Sequence, residues 1–492
     1  MLLSILGIAV GTGNIWRFPR IAAKTGGDDG AGSFLIAWMI FLILWSVPLI
    51  IAELAIGRKT RLGVAGSFGK LLSGRFVWMG AFVGLVATMI MFYYAVVNGW
   101  CLFYFLRMTF LGQPLDSSAS LELWDGFQAG SFPLVFHFLV MIVAALVVVK
   151  GIRSIEKVNR VLVPSLLLIV LLSAVRALTL PGAFDGVRYL FTPDMDQLAN
   201  PNVWLEALTQ NAWDTGAGWG LILTYAVYMH RKQGVTLNAC LTGFGNNSVS
   251  LLAALTIFST VFATLGASMS RAEIVEVMKT SGPAGTGLTF IWMPQLFSQM
   301  PLGRLFAILF FLGLTFAALS SLISMVELAS RSLLDMGLRR RTAVLLVCGV
   351  GYLCGVPSAL NLDVFSNQDF VWGVGLMISG AFIAFLCNRF GVTRFRHEVI
   401  NLEVRDMTLR GWWDIVVRYL IPVECVVLLG WWMYLSARVY EPDTWYDPFS
   451  PYSVATCVVQ WGLVLIALLV CNRFMAGRML HAPGNLEPGG EV

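Results

Sequence analysis

The sequence predicts an all-α polytopic membrane protein in which two of the spans are interrupted. Three observations carry this. Of 492 residues, 58% are hydrophobic and 12% charged, with a mean hydropathy of +0.77, which is more apolar surface than a soluble domain can hide. Apolar runs long enough to cross a bilayer recur about twelve times along the chain. The first and sixth of these runs are crowded with glycine and carry polar residues in their middles.

The runs lie near 1–23, 33–57, 77–106, 132–150, 159–179, 204–229, 243–268, 303–335, 342–360, 370–388, 412–437 and 453–474. An even number places both termini on one side. Charge identifies that side. Arg58, Lys59, Arg61, Lys70 and Arg75 share one connection with no acid, and further basic clusters sit at 150–160, 339–341 and 389–410. Acids such as Asp116, Asp125, Asp185, Asp194, Glu441 and Asp447 fall in the alternate connections. The excess of Lys and Arg in cytoplasmic loops makes the basic side, and so both termini, cytoplasmic in a multi-pass plasma (bacterial inner) membrane with lipid around it. The basic patches are therefore topology signals, and no nucleic-acid partner is expected.

Connections 107–131 and 180–203 read as extracellular loops, and 269–302 as short helices over the same face. The tail 475–492 is polar and rich in Pro and Gly, and is expected to be flexible. The eight cysteines lie mostly in apolar runs without ligand spacing and read as core thiols. No cleavable leader is evident, because the first run passes directly into its glycine-rich stretch.

That stretch is "GIAVGTGN", residues 7–14, and the sixth run holds "NAWDTGAGWG", residues 211–220. First and sixth are equivalent places in two five-helix halves. Unwound peptide groups at membrane depth are costly unless something binds them. One such helix would suggest a kink with glycines for close packing. Two at matched places point to a transporter with inverted repeats and a midplane site for substrate and cation.

The segments "AVGTGNIWRFP", "GGDDGAGSFLIAW" and "VPLIIAELAIGR" resemble the neurotransmitter:sodium symporter family, including its bacterial amino-acid transporters. The resemblance implies the LeuT-type fold: about 12 transmembrane helices, a 5+5 inverted repeat, and broken helices 1 and 6. The first repeat would be 1–179 and the second 180–390, including the extracellular loop 269–302; helices 11 and 12 would occupy 391–474. It implies sodium-coupled import of an amino acid by alternating access, with two Na+ ions.

Carried over by position, the resemblance puts the first sodium at Ala9, Asn14, Asp214 and Asn246. The second would lie at Gly7, Val10, Ala317, Ser320 and Ser321, although a Ser-Ser pair alone would suggest bonding back to its own helix. The substrate pocket would be lined by Ile8, Gly11, Thr12, Gly13, Ile90, Tyr94, Trp213, Gly216, Trp219 and Met325, with Tyr94 binding the substrate carboxylate and Tyr93 packing. Monoamine carriers place an aspartate at the Gly11 position; glycine leaves room for the substrate's own carboxylate. With two tryptophans beside it, this suggests a neutral amino acid with a medium to large side chain, aromatic ones included. Arg17 and Asp369 would form an outer gate, and Glu53 would be held by backbone donors near the breaks. Glu424 has no assignable counterpart and reads as a locally hydrogen-bonded acid.

The sequence departs from the family in two places. Asp214 stands where many relatives have Ser or Thr. Chloride-dependent relatives bind the anion through positions matching Gln210, Asp214, Asn246, Ser250 and a tyrosine, but here the last is Trp38. A fixed carboxylate beside Na+ can replace a bound anion, so chloride-independent transport is expected, with no chloride as cofactor. A direct contact from Asp214 to a substrate amine, favouring cationic ligands, is the competing role. Second, Met1 stands six residues before Gly7, whereas half a bilayer takes about ten helical residues. The arginine that seals the inner side in relatives is missing, leaving Asp335 and Tyr228 as inner-gate remnants. Either a start upstream or a leaky inner gate would follow, and the length argument favours the former. An enzyme is not expected, since His137, His230, His397 and His481 are dispersed. A membrane sensor using the same pocket would need an output domain that the chain does not show.

Overall fold

The computed structural model describes residues 7, 9–110, 117–279, 287–402 and 406–481. The expected pocket residue Ile8 lies outside them. All regular structure among the described residues is helical. The first segment loses helical form at Val10 and Gly11, and resumes as a π-turn over Gly13–Arg17 that leads into α1 (Phe18–Thr25). It is followed by α2 (Gly32–Thr60), α3 (Gly74–Phe110), α4 (Phe132–Val148) and α5 (Ile152–Leu178). Helix α6 comes in two pieces, Pro201–Asp214 and Leu221–Ala226. Then come α7 (Thr236–Leu265), α8 (Gly303–Asp335), α9 (Arg340–Leu360), α10 (Leu362–Phe390), α11 (Trp412–Tyr440) and α12 (Val454–His481).

Among the described residues nine helices are long and apolar enough to cross a membrane, and the bent pair Ser118–Ala129 with α4 would make a tenth. The interrupted first and sixth segments have no continuous helix of that length, so a count of twelve rests on treating them as spans.

Both breaks have local causes. In α6, Gly216, Gly218 and Gly220 take φ of 69°, 88° and 78°, a left-handed region that side chains resist and glycine enters freely. Upstream, Asn200 caps Pro201–Asp214 by accepting from the Asn202 N–H (3.0 Å), with proline in the first turn. Four π-turns, Gly13–Arg17, Leu42–Ser46, Leu288–Trp292 and Val416–Leu420, each end two residues before a proline. Proline lacks an N–H and crowds the carbonyl four residues back. Widening the turn moves that carbonyl aside and keeps the helix running.

α3 packs most extensively on α8, and also against α4 and α10. α2 runs along both pieces of α6 and splints the break. Gly57 makes this possible, since a Cβ there would stand 2.2 Å from the Leu223 carbonyl oxygen.

The connections correct three expectations. Segments 107–131 and 180–203 are not loops: they carry helices Ser117–Ala129, Ala183–Phe191 and Met195–Leu198. Their aromatic side chains hold them down, with Trp124 5.3 Å from Trp100 and Tyr189 5.6 Å from Phe262, measured between ring centroids. α12 also continues to His481, taking up the start of the expected tail. The helix Arg271–Lys279 in the third connection begins with a capping box, Ser270 N–H donating to Glu273 Oε2 (2.7 Å) and Glu273 N–H to Ser270 Oγ (3.4 Å).

Candidate functional site

The two breaks meet around one cavity of about 100 Å³. A single water needs roughly 10–15 Å³ on the same measure, so a small organic molecule fits. Gly11, Thr12, Gly13, Tyr94, Trp213, Gly216, Trp219 and Met325 line it, as expected. Ile90 does not. It is wholly buried one helical turn before Tyr94, on a part of α3 that faces protein. Tyr93 both packs edge-on against Phe365 (5.5 Å) and lines the cavity, where Val97 and Phe365 join it. Position along the helix face, invisible in the motif, decides which of these side chains reaches the space.

Tyr94 is tied to the first break: the Thr12 N–H and hydroxyl both donate to its Oη, at 3.3 and 3.1 Å. A Cβ on Gly11 would lie 3.2 Å from that oxygen and 3.0 Å from Ser321 Oγ, so glycine keeps this corner open. Trp213 and Trp219 meet edge to face at 5.6 Å. Gly373 of α10 makes room beneath Trp213, where a Cβ would come within 2.4 Å of the ring. The Trp219 indole donates to the Ala212 carbonyl (2.8 Å), bridging the second break.

Ala9, Asn14, Asp214 and Asn246 come together on the side facing α7. The Asn14 Oδ1 accepts from the Gly11 N–H (2.8 Å), and its Nδ2 donates to Asn246 Oδ1 (2.8 Å) and Ser250 Oγ (2.7 Å). Turned over, with its nitrogen toward the break, the Asn246 amide gives up the bond from Asn14 and donates to the carbonyl oxygens of Ala9 (2.9 Å) and Asp214 (3.2 Å). With its oxygen there, three oxygens face one another with no proton between them, an arrangement that a cation satisfies. Asp214 is 4% exposed. Its Oδ2 accepts from Gln210 Nε2 and Ser250 Oγ, both at 3.3 Å, and its Oδ1 has no hydrogen-bond partner among the described residues. The Trp38 indole N–H, in turn, is buried without an acceptor among the described residues and does not bond to this cluster; its ring packs on Phe18 at 4.5 Å.

The second group gathers where the start of the first segment meets α8. Val10, Ala317 and Ser320 are buried, and a Cβ on Gly7 would stand 3.7 Å from Ser320 Cβ. The Ser320 hydroxyl bonds back to the Ala317 carbonyl (2.9 Å), while the Ser321 hydroxyl is buried and unpartnered among the described residues. Glu53 behaves as expected, its carboxylate accepting from the Gly218 (2.7 Å) and Leu223 (3.0 Å) N–H groups across the second break.

Arg17 and Asp369 lie between this cavity and an outer one of about 400 Å³, lining both. They make no direct ion pair among the described residues. Arg17 instead donates to Gln210 Oε1 (3.1 Å) and covers Trp213, 5.5 Å from its ring centroid.

The inner remnants are not left without mates. Asp335 pairs with Arg331 (3.0 Å) and accepts from the Gly63 N–H (2.6 Å). The Tyr228 hydroxyl donates to Glu327 Oε1 (2.7 Å), and Arg340 grips both Glu327 oxygens (2.7 and 2.8 Å) while donating to Tyr228 (3.1 Å). Sequence reasoning missed Glu327 and Arg340. The signal was available, since Glu327 is an acid inside an apolar run. Glu424 is the converse: 6% exposed, with neither oxygen partnered among the described residues, so it is not the locally bonded acid expected.

Comparison with known proteins places this arrangement. The profile of the sodium:neurotransmitter symporter family matches residues 1–119 and 126–482. An uncharacterized sodium-dependent transporter of Methanocaldococcus jannaschii is 33% identical over 454 residues, covering 89% of this chain and 88% of the relative. The sodium-dependent serotonin transporter of Drosophila melanogaster is 29% identical, covering 96% and 81%, and the rat sodium-dependent neutral amino acid transporter B(0)AT3 is 27% identical, covering 92% and 85%. The crystal structure of MhsT in complex with L-phenylalanine superposes with a TM-score of 0.76 at 28% identity, covering 87% of this chain and 97% of that one. The fold is the LeuT-type fold, and the chain belongs to the sodium:neurotransmitter symporter family.

Proposed function

We propose that this sodium-dependent transporter imports a neutral amino acid with a medium to large side chain, aromatic ones included, together with two Na+ ions by alternating access. The observation that carries the reading is that both helix breaks open onto one cavity, where backbone oxygens converge beside the unpartnered Asp214 Oδ1. Freed carbonyls coordinate Na+ and half-helix N-termini favour a carboxylate. Na+ orders the unwound segments that the substrate needs, and this differential binding couples the two fluxes. Gly11 leaves room for the substrate carboxylate at the Tyr94 hydroxyl, and Trp213 and Trp219 give an apolar wall. The Phe-bound MhsT structure and the name of the rat relative agree with an amino-acid cargo.

In this reading Ala9, Asn14, Asp214 and Asn246 hold one Na+, and Gly7, Val10, Ala317, Ser320 and Ser321 the other. Transport is chloride-independent. Its support is that the donors expected to hold an anion, Gln210 and Ser250, are spent on the Asp214 carboxylate. Arg17 and Asp369 close over the substrate once it binds, and the halves 1–179 and 180–390 rock as inverted repeats. Uptake of labelled amino acids into proteoliposomes, driven by a Na+ gradient in chloride or gluconate, tests it. Loss of uptake in gluconate would sink the chloride-independent reading.

A second reading has its own observation. The free Asp214 Oδ1 could meet a cationic amine instead of Na+. Competition by aromatic amines against aromatic amino acids separates the two.

A further inference from the structure

Helix α5 buries Ile155 and Val163 on one face, four residues either side of Asn159. Asn159 is the polar exception on that face. It is wholly buried, and neither its Oδ1 nor its Nδ2 has a hydrogen-bond partner among the described residues. An amide in that state is costly unless it binds a ligand or an ordered water.

The position of the amide narrows the choice of ligand. A Cβ built on Gly7 would meet the Val163 methyl at 2.7 Å, and would stand 3.7 Å from Ser320 Cβ and 3.8 Å from Asn159 Cγ. Three elements thus converge on one point: the start of the interrupted first segment, α8 and α5. Gly7 and Ser320 bring a backbone carbonyl and a hydroxyl, and Asn159 brings a neutral amide oxygen. Such a set of uncharged oxygens suits a hard monovalent cation.

We infer that Asn159 supplies an oxygen, directly or through one water, to the cation held at Gly7 and Ser320, and so sets the Na+ affinity of that site from α5. This rests on the reading of the Gly7–Ser320 group as a Na+ site.

The test is a thermal-shift titration of the purified full-length chain with NaCl, choline chloride keeping ionic strength constant and no amino acid present. In Asn159→Leu the Na+ concentration for half-maximal stabilisation should rise roughly tenfold, the low end of what loss of a supporting group costs a metal site. In Asn159→Asp it should fall, because a charged oxygen replaces a neutral one. Without Na+, Asn159→Leu should melt at or above the parent, since an unpaired buried amide has been replaced by an apolar group of similar size.

A half-point within twofold of the parent in both variants, while Ser321→Ala shifts it, overturns the role of Asn159 and leaves the site standing. A half-point unmoved by Ser320→Ala and Ser321→Ala as well overturns the site itself. A lower melting point for Asn159→Leu in choline, with an unchanged half-point, marks a packing residue and also overturns the proposal. Should Asn159→Leu not fold, Asn159→Ser takes its place with the same expected direction.

Discussion

Replacing Asp214 by serine probes the charge on which the proposed ion coupling depends. The carboxylate is 4% exposed; one oxygen takes two donors at 3.3 Å and the other takes none among the described residues. A full charge at ~4 Å from Na+ is worth about 4 kcal/mol at an effective dielectric of 20. Part of that is offset by water entering the enlarged space and by the new hydroxyl. A net loss of about 1.5–3 kcal/mol corresponds to a ten- to hundredfold weaker Na+ dependence. Removing the carboxylate also frees Gln210 and Ser250, which with the serine hydroxyl make three donors around a space where an anion can sit. The Na+ concentration for half-maximal uptake in proteoliposomes should therefore rise ten- to hundredfold in gluconate and recover in chloride. A half-point within threefold of the parent and identical in the two salts would refute the argument that Asp214 stands in for a bound anion.

Further outcomes follow from the same geometry. Tyr94→Phe removes the hydroxyl proposed to meet the substrate carboxylate; a hydrogen bond to a charged group is worth about 1.5–3 kcal/mol, so substrate affinity measured by equilibrium binding should fall at least tenfold. Arg340→Ala strands the Glu327 carboxylate, which is wholly buried. Breaking such a pair costs about 3–5 kcal/mol, visible as a lower melting temperature in detergent, and Glu327→Gln in the same chain should recover part of it. Gly57→Ala puts a methyl 2.2 Å from the Leu223 carbonyl oxygen. Overpacking of this kind costs about 1–3 kcal/mol and should lower the melting temperature without changing which amino acids compete for uptake.

Local chemistry was legible in the sequence. The breaks could be read because glycine crowds both stretches: Gly216, Gly218 and Gly220 take a left-handed backbone that side chains resist, and Gly11 leaves space that a Cβ would fill beside Tyr94 and Ser321. The class of protein followed from apolar run length, and the sodium-dependent family from the motif around the first break. Other features were not legible. Ile90 and Tyr94 share a helix one turn apart, yet only Tyr94 lines the cavity. The four π-turns lay in plain view two residues before their prolines, but whether proline bends, breaks or widens a helix depends on what can accept the displaced carbonyl.

The sequence by itself determined the apolar spans, the two points where the backbone must leave the helix, and the polar residues placed at those points. These depend on the residue and its near neighbours along the chain. Tertiary structure decided which partners those residues use: Arg17 with Gln210 and Trp213 rather than Asp369, Tyr228 with Glu327 and Arg340, and Asn159 against Gly7. The physical reason is that each such contact joins helices far apart in sequence. Its existence rests on their relative register and rotation, which are set by how the whole bundle packs and leave no mark at the two positions alone.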